Sequence, residues 1–162
     1  PFYESFVLEV PDNFSQGSFY NIPIEAMLSM TEVALRSGYT VAWDADVSEA
    51  GFSFSNGMAL LIDSDVPKDE RFKKEHIEPK VTQNDRQDNF NNFQTTDDHL
   101  MHIVGMAKDQ FGNGYFVIKN SWGDENIYGG KQYISYAYFK MKTIGILLHK
   151  DGVSKAVSKK LK

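Results

Sequence analysis

The 162-residue chain contains no cysteine. That absence removes disulfides, thiolate metal sites and a cysteine nucleophile from these residues, and it carries no firm message about compartment. Positive charge is also scarce: 17 Lys and Arg stand against 22 Asp and Glu, a formal charge of −5, and no basic block stands out. A nucleic-acid or anionic-membrane surface is therefore not expected. No apolar run approaches the roughly 20 residues that a membrane-spanning helix needs. The Gly-rich pieces at 112–114 and 129–130 lack any phosphate-loop pattern. Hydrophobic residues at 41% and charged residues at 24% exclude a disordered chain. The length suits one domain, able to bury close to ~70% of its unfolded surface.

Period and punctuation predict an α+β domain over residues 1–151, followed by a Lys-rich, frayed tail at 152–162. Phe6 to Val10 reads as a short strand closed by Pro11, Asn13 and Gly17. An amphipathic helix follows: Pro23 suits its first turn, Glu25 complements its dipole, and Ile24, Met27, Leu28, Thr31, Ala34 and Leu35 share a face up to a C-cap at Gly38. Tyr39 to Asp44 reads as a buried strand and Met58 to Ile62 as a short one. The charged stretch from Lys68 to Glu78 reads as solvated surface. Thr82 and Asp85 form a capping-box pattern opening a helix to about Asn92, anchored by Phe90 and Phe93. From His99 onward, four apolar stretches (99–107, 115–120, 132–136 and 143–148) predict an antiparallel sheet.

Two of these stretches frame the chemistry. Residues 99–107 and 115–120 flank a strong turn at Asp109 to Gly114, and so predict a hairpin. If Ile103 faces Phe116, then Met101 faces Ile118 and His99 faces Asn120, an imidazole beside a carboxamide ~4.5–5.5 Å apart at Cβ. A one-residue slip would put the two on opposite faces, and a bulge would alter the pairing. A carboxamide that accepts from one ring nitrogen fixes the tautomer and aims the other nitrogen at a nucleophile. A neutral orienter suits a thiolate–imidazolium pair, because the thiol must give up its proton well below its ordinary pKa of ~8.5. Spacing alone leaves a structural histidine open. Other readings are a metal site at Asp97, Asp98 and His99 or at Asp44 and Asp46, but no second ligand set converges in the sequence. His102, His76 and His149 read as packed or surface residues.

The wording around the pair adds to this. Asn120-Ser121-Trp122-Gly123 after a Tyr-Phe-Val-Ile-Lys strand, with Asp98-His99 opening the strand before it, resembles the His and Asn segments of papain-like cysteine peptidases. The stretch from Tyr20-Asn21 through Pro23-Ile24 to Val41, Trp43 and Asp46-Val47, and the approach at 85–98, resemble the bleomycin hydrolase and aminopeptidase C branch of that family. The resemblance covers roughly Phe6 to Asp151. It implies that His99 is the general base and acid, that Asn120 orients it, and that Trp122 shields their hydrogen bond, with Asp98 as a supporting neighbour. It implies no cofactor and no metal, a peptide substrate and a cytoplasmic setting, and it is compatible with a homo-oligomer.

Papain-like enzymes carry their nucleophilic Cys, and the Gln that helps build the oxyanion hole, in an earlier, mostly helical half. The expectation is therefore that this chain is the C-terminal, His/Asn-bearing portion of a longer peptidase, that an N-terminal Cys-bearing domain or chain is its partner, and that alone it is inactive. Members of the branch end in an arm whose terminal carboxylate enters the cleft; here the 11 residues after Asp151 end in Lys160-Leu161-Lys162, which leaves endopeptidase or aminopeptidase cutting open. The alternative is a non-catalytic binding module of the same fold without the nucleophile. A metal hydrolase built on Asp97 to His99 is a remote third.

Overall fold

The computed structural model describes residues 1–11 and 13–161; Lys162, the end of the expected tail, lies outside them. A two-stranded ribbon comes first, β1 (Ser5–Val7) against β2 (Ser18–Tyr20), with Phe6 opposite Phe19. Phe6 to Val10 is thus shorter as a strand than its apolar pattern suggests, and its three-residue partner has no alternating pattern to betray it.

Helix α1 (Ile24–Arg36) buries Ile24, Met27, Met30, Thr31 and Ala34. Pro23 sits just before the helix rather than in its first turn, and the Ile24 N–H is capped from afar by Gln83 Oε1 at 2.9 Å. The other end closes as sequence reading expects. Gly38 adopts φ +85°, its N–H bonds the Leu35 carbonyl at 3.1 Å, and Tyr39 N–H bonds the Ala34 carbonyl at 2.9 Å. This pair of bonds needs a left-handed residue that glycine supplies without strain.

The main sheet has seven strands. In chain order they are β3 (Val41–Ala45), β4 (Phe52–Ser53), β5 (Met58–Ala59), β6 (His99–Lys108), β7 (Gly114–Lys119), β8 (Lys131–Ser135) and β9 (Thr143–Leu148), arranged β4-β5-β8-β7-β6-β3-β9. Every neighbouring pair is antiparallel except β5 and β8. The fold is the expected α+β class, with one parallel joint because the chain must cross over between β5 and β8.

Central strand β3 alternates strictly, burying Val41, Trp43 and Ala45. Trp43 stacks on Phe139 with centroids 6.0 Å apart and donates its indole N–H to Thr143 Oγ1 at 2.8 Å. Phe139 belongs to α3 (Tyr136–Lys142), a helix that sequence reading leaves as a turn between strands. Its sequence, YAYFKMK, is rich in aromatic residues that favour strands. The Ser135 hydroxyl accepts from Tyr138 N–H at 3.0 Å and starts the helix, while Tyr138 and Phe139 become fully buried.

Helix α2 (Gln83–Asn91) has the capping box that Thr82 and Asp85 predict. Its anchoring differs. Phe93 is 81% exposed at φ +61°, and α2 buries none of its own residues. Arg86 holds it instead, lying over the Phe90 ring at 5.2 Å and donating to the Thr143 carbonyl at 2.6 Å. The tail is ordered too. A turn of 3-10 helix (Lys150–Gly152) and α4 (Lys155–Ser158) bury Val157, so one apolar residue among lysines is enough to dock it.

Lys142, at the end of α3, is 4% exposed. Its ammonium donates to Glu49 and to the Gln94 carbonyl and lies 3.7 Å from Asp46 Oδ2. Burial pushes Asp46 up from its ordinary 3.8 to about 6, partly offset by hydrogen bonds from Thr96 and Ser48 and by Lys142.

Two outcomes follow for stability. Trp43→Ala should lower the unfolding free energy by ~3–5 kcal/mol, whereas Phe93→Ala should change it by less than ~0.5 kcal/mol, both read by urea denaturation. Folded Asp46 holds its proton more tightly than the unfolded chain does. Its contribution therefore favours folding at low pH and is lost as pH rises from 3.8 to about 6. Across that range the urea midpoint of the wild type should fall relative to that of Asp46→Asn.

Candidate active site

Strand β6 lies between β3 and β7, and its register on β3 is unbroken: Ala45 pairs with His99, Trp43 with Met101 and Val41 with Ile103. Burying Met101 and Ile103 leaves Leu100 and His102 facing outward. His99 has the same parity as the buried residues, but it starts the strand, where the core gives way to surface, and is half-buried.

The pairing of β6 with β7 differs from the hairpin read from the turn. Ile103 faces Ile118 and His102 faces Lys119; the register then skips Val104, so that Gly105 faces Val117 and Met106 faces Phe116. On the His99 side the shift is two residues, which preserves the face. His99 and Asn120 are therefore diagonal neighbours on one face rather than direct opposites. Diagonal partners lie ~7–8 Å apart at the backbone, within reach of an imidazole and a carboxamide.

The two side chains meet. His99 Nε2 is 2.8 Å from Asn120 Oδ1. Asn120 is 6% exposed; its oxygen also accepts the Ser121 N–H at 2.7 Å, while its Nδ2 donates to Gln132 Oε1 at 3.0 Å. The Ser121 N–H can only donate, so the atom facing His99 is an acceptor. It follows that His99 Nε2 carries the proton of this bond and that Nδ1 keeps its lone pair in neutral His99.

Trp122 stacks on His99, with centroids 4.9 Å apart and planes at 20°. Phe52 and Phe54 meet the indole edge-on at 5.9 and 5.7 Å. Trp122 is still 46% exposed, so apolar surface is uncovered beside His99. The loop that carries Trp122 is tied down by Asn126, whose amide donates to the Phe54 and Lys131 carbonyls and whose oxygen accepts from Tyr128 and Gly130 N–H. Gly130, at φ +80°, lets the loop close: a Cβ there would sit 2.4 Å from the Gly123 carbonyl oxygen. Sequence reading misses Gln132, Phe52, Phe54 and Asn126. Of these, Asn126 ahead of Gly129-Gly130 is a readable turn signal.

Asp98 stands beside His99 in sequence but works elsewhere. Its carboxylate accepts from Val47 N–H, Ser48 N–H, Ser48 Oγ and Thr96 Oγ1, at 2.5–3.2 Å. Partial burial opposes the charged form, yet the hydrogen bonds led by Ser48 and Thr96 outweigh it and hold the carboxyl below its ordinary range. Asp98 thus pins the turn after β3 from which Ala45 meets His99.

The other histidines sit apart from the pair. His102 Nε2 is 2.7 Å from Thr40 Oγ1, and His149 stacks on Tyr39 at 5.0 Å. His76, expected at the surface, has Nε2 buried. It lines a cavity of about 870 Å³ with Glu78, Tyr115, Tyr133 and Tyr136, at the far end of the β6–β7 hairpin. Burial raises Glu78 there, against hydrogen bonds from Ser135 and Leu61. Neither this cavity nor a second one, of about 450 Å³ beside α1 and β9, includes His99 or Asn120. Of the pair, Asn120 is buried and His99 half-buried.

No curated protein matches the chain. Among solved structures, the crystal structure of PepW from Lactobacillus rhamnosis HN001 is similar, with a TM-score of 0.69 and 17% identity over 99% of this chain and 34% of that one. The chain therefore spans about a third of the length of that relative, and the likeness is one of fold. The model of the Peptidase C1-like family, a papain-like group, matches residues 1–162, and the chain belongs to that family.

Proposed function

We propose that this chain supplies the catalytic His and Asn of a cysteine peptidase of the bleomycin hydrolase and aminopeptidase C kind, with the nucleophilic Cys outside these 162 residues. The observation that carries the reading is the His99–Asn120 hydrogen bond, with Trp122 stacked over the imidazole. The bond occupies Nε2 and leaves Nδ1 as the nitrogen that takes a proton.

In this reading Nδ1 takes the thiol proton of the Cys and the thiolate attacks the peptide carbonyl carbon. Imidazolium His99 then gives that proton to the departing amine as the C–N bond breaks, leaving a thioester. Water, deprotonated by the same nitrogen, hydrolyses the thioester and regenerates the thiol. Asn120 stays neutral throughout and keeps the ring oriented. Trp122 keeps water from the hydrogen bond, which strengthens it. The partners are a peptide substrate and the Cys-bearing domain or chain. The absence of cysteine also favours a second reading, a binding module that kept the fold without the nucleophile.

Assays on aminoacyl and peptidyl fluorogenic substrates separate these readings. The 162-residue chain alone should be inactive. Joined to the Cys-bearing part of its protein, it should hydrolyse them, with activity abolished by thiol alkylation and lowered by a factor on the order of 10⁴ or more in His99→Ala. Robust hydrolysis by the chain alone that resists alkylation but disappears in His99→Ala would sink the proposal, and a source protein with no cysteine would favour the module.

A further inference from the structure

Asn120 orients His99 only while something orients Asn120. Two groups touch its carboxamide besides the imidazole. One is the Ser121 N–H, which belongs to the next residue and moves with the same stretch of backbone. The other is Gln132, on β8, whose Oε1 accepts from Asn120 Nδ2 at 3.0 Å. Gln132 faces Ile118 across the β7–β8 pair, so it lies diagonal to Asn120 on one sheet face, just as Asn120 lies diagonal to His99. Strands β8 and β6, and the residue just past the end of β7 between them, thus contribute one side chain each to a chain of hydrogen bonds: Gln132, Asn120, His99.

The burial of Gln132 is what makes this more than packing. It is 0% exposed, and its Nε2 has no hydrogen-bond partner. A buried donor without a partner costs stability, and an apolar side chain of similar volume would avoid that cost. What such a side chain would lack is the oxygen aimed at Asn120.

We infer that Gln132 is a positioning residue, whose Oε1 holds the Asn120 carboxamide with its oxygen toward His99 and so keeps neutral His99 in the Nε2–H tautomer with Nδ1 free. The catalytic meaning of this rests on the peptidase reading above; the tautomer does not. With Gln132 in place, a flipped Asn120 would set its Oδ1 against Gln132 Oε1, two acceptors with no proton between them. Without it, that penalty disappears from the competing rotamers, and the ring loses its fixed partner.

The test is long-range ¹H–¹⁵N correlation on the ¹⁵N-labelled 162-residue chain, above the titration of the histidines, with the His99 signals assigned by their loss in His99→Gln. The wild type should show one tautomer, with Nε2 protonated. Gln132→Leu should add a second, Nδ1-protonated population while its backbone spectrum and melting temperature stay close to wild type. Should Gln132→Leu fail to fold, Gln132→Met takes its place. Gln132→Glu, which keeps an acceptor oxygen at the same distance, should restore the single tautomer; a merely structural role for Gln132 predicts no such rescue. A wild type with mixed tautomers, or a single Nε2–H tautomer that survives in Gln132→Leu, overturns the inference and leaves the peptidase reading standing. If instead the tautomer responds as stated but the chain joined to its Cys-bearing part hydrolyses nothing, positioning stands and the peptidase reading falls.

Discussion

The site depends on one constraint, the place of β6 between β3 and β7. On one side its register against β3 is continuous from Val41–Ile103 to Ala45–His99, which puts Met101 and Ile103 in the core and leaves His99 at its margin. On the other side the register against β7 shifts at Val104. Side chains alternate with period two, and at the His99 end, where Ile103 faces Ile118 and His102 faces Lys119, the pairing puts Asn120 on the face of His99; a pairing slipped by one residue would have turned it away. The Asn120 oxygen and the Trp122 ring that meet the imidazole follow from that parity, and behind Asn120 so does Gln132.

Around this strand the structure divides its polar groups between holding and orienting. Asp46, Asp98, Glu49 and Lys142 are concentrated where β3 ends and the chain turns, and their partners are backbone amides, hydroxyls and one another. A buried ammonium against two carboxylates contributes little net stability but is costly to break, which makes it a device for fixing geometry. The orienting groups are neutral: a carboxamide on the imidazole and a second carboxamide behind it. No charge lies along this line of three side chains.

Much of the architecture was legible because it rests on local rules. The amphipathic face of α1, the left-handed Gly38, the capping box of Thr82 and Asp85, and the alternation around Trp43 are each set within a few residues. Features that rest on distant partners were not legible. Helix α3 reads as a turn between strands until Phe139 finds Trp43 and Phe116, Phe93 reads as an anchor although Arg86 is the one, and β2 has no pattern of its own. The tail reads as solvent because lysines outnumber its single docking residue, Val157.

The same division holds at the site. The amino-acid sequence alone determined that no cysteine acts from within these residues, and that an imidazole and a carboxamide sit on strands joined by a tight turn, followed at once by a tryptophan. These are matters of composition and short spacing. Only the tertiary structure decided that His99 and Asn120 meet diagonally across a skipped residue, that Asp98 turns away to hold the loop after β3, and that Gln132 stands behind Asn120. Register, bulges and burial are settled by the fit of several strands at once, and no single segment carries that information.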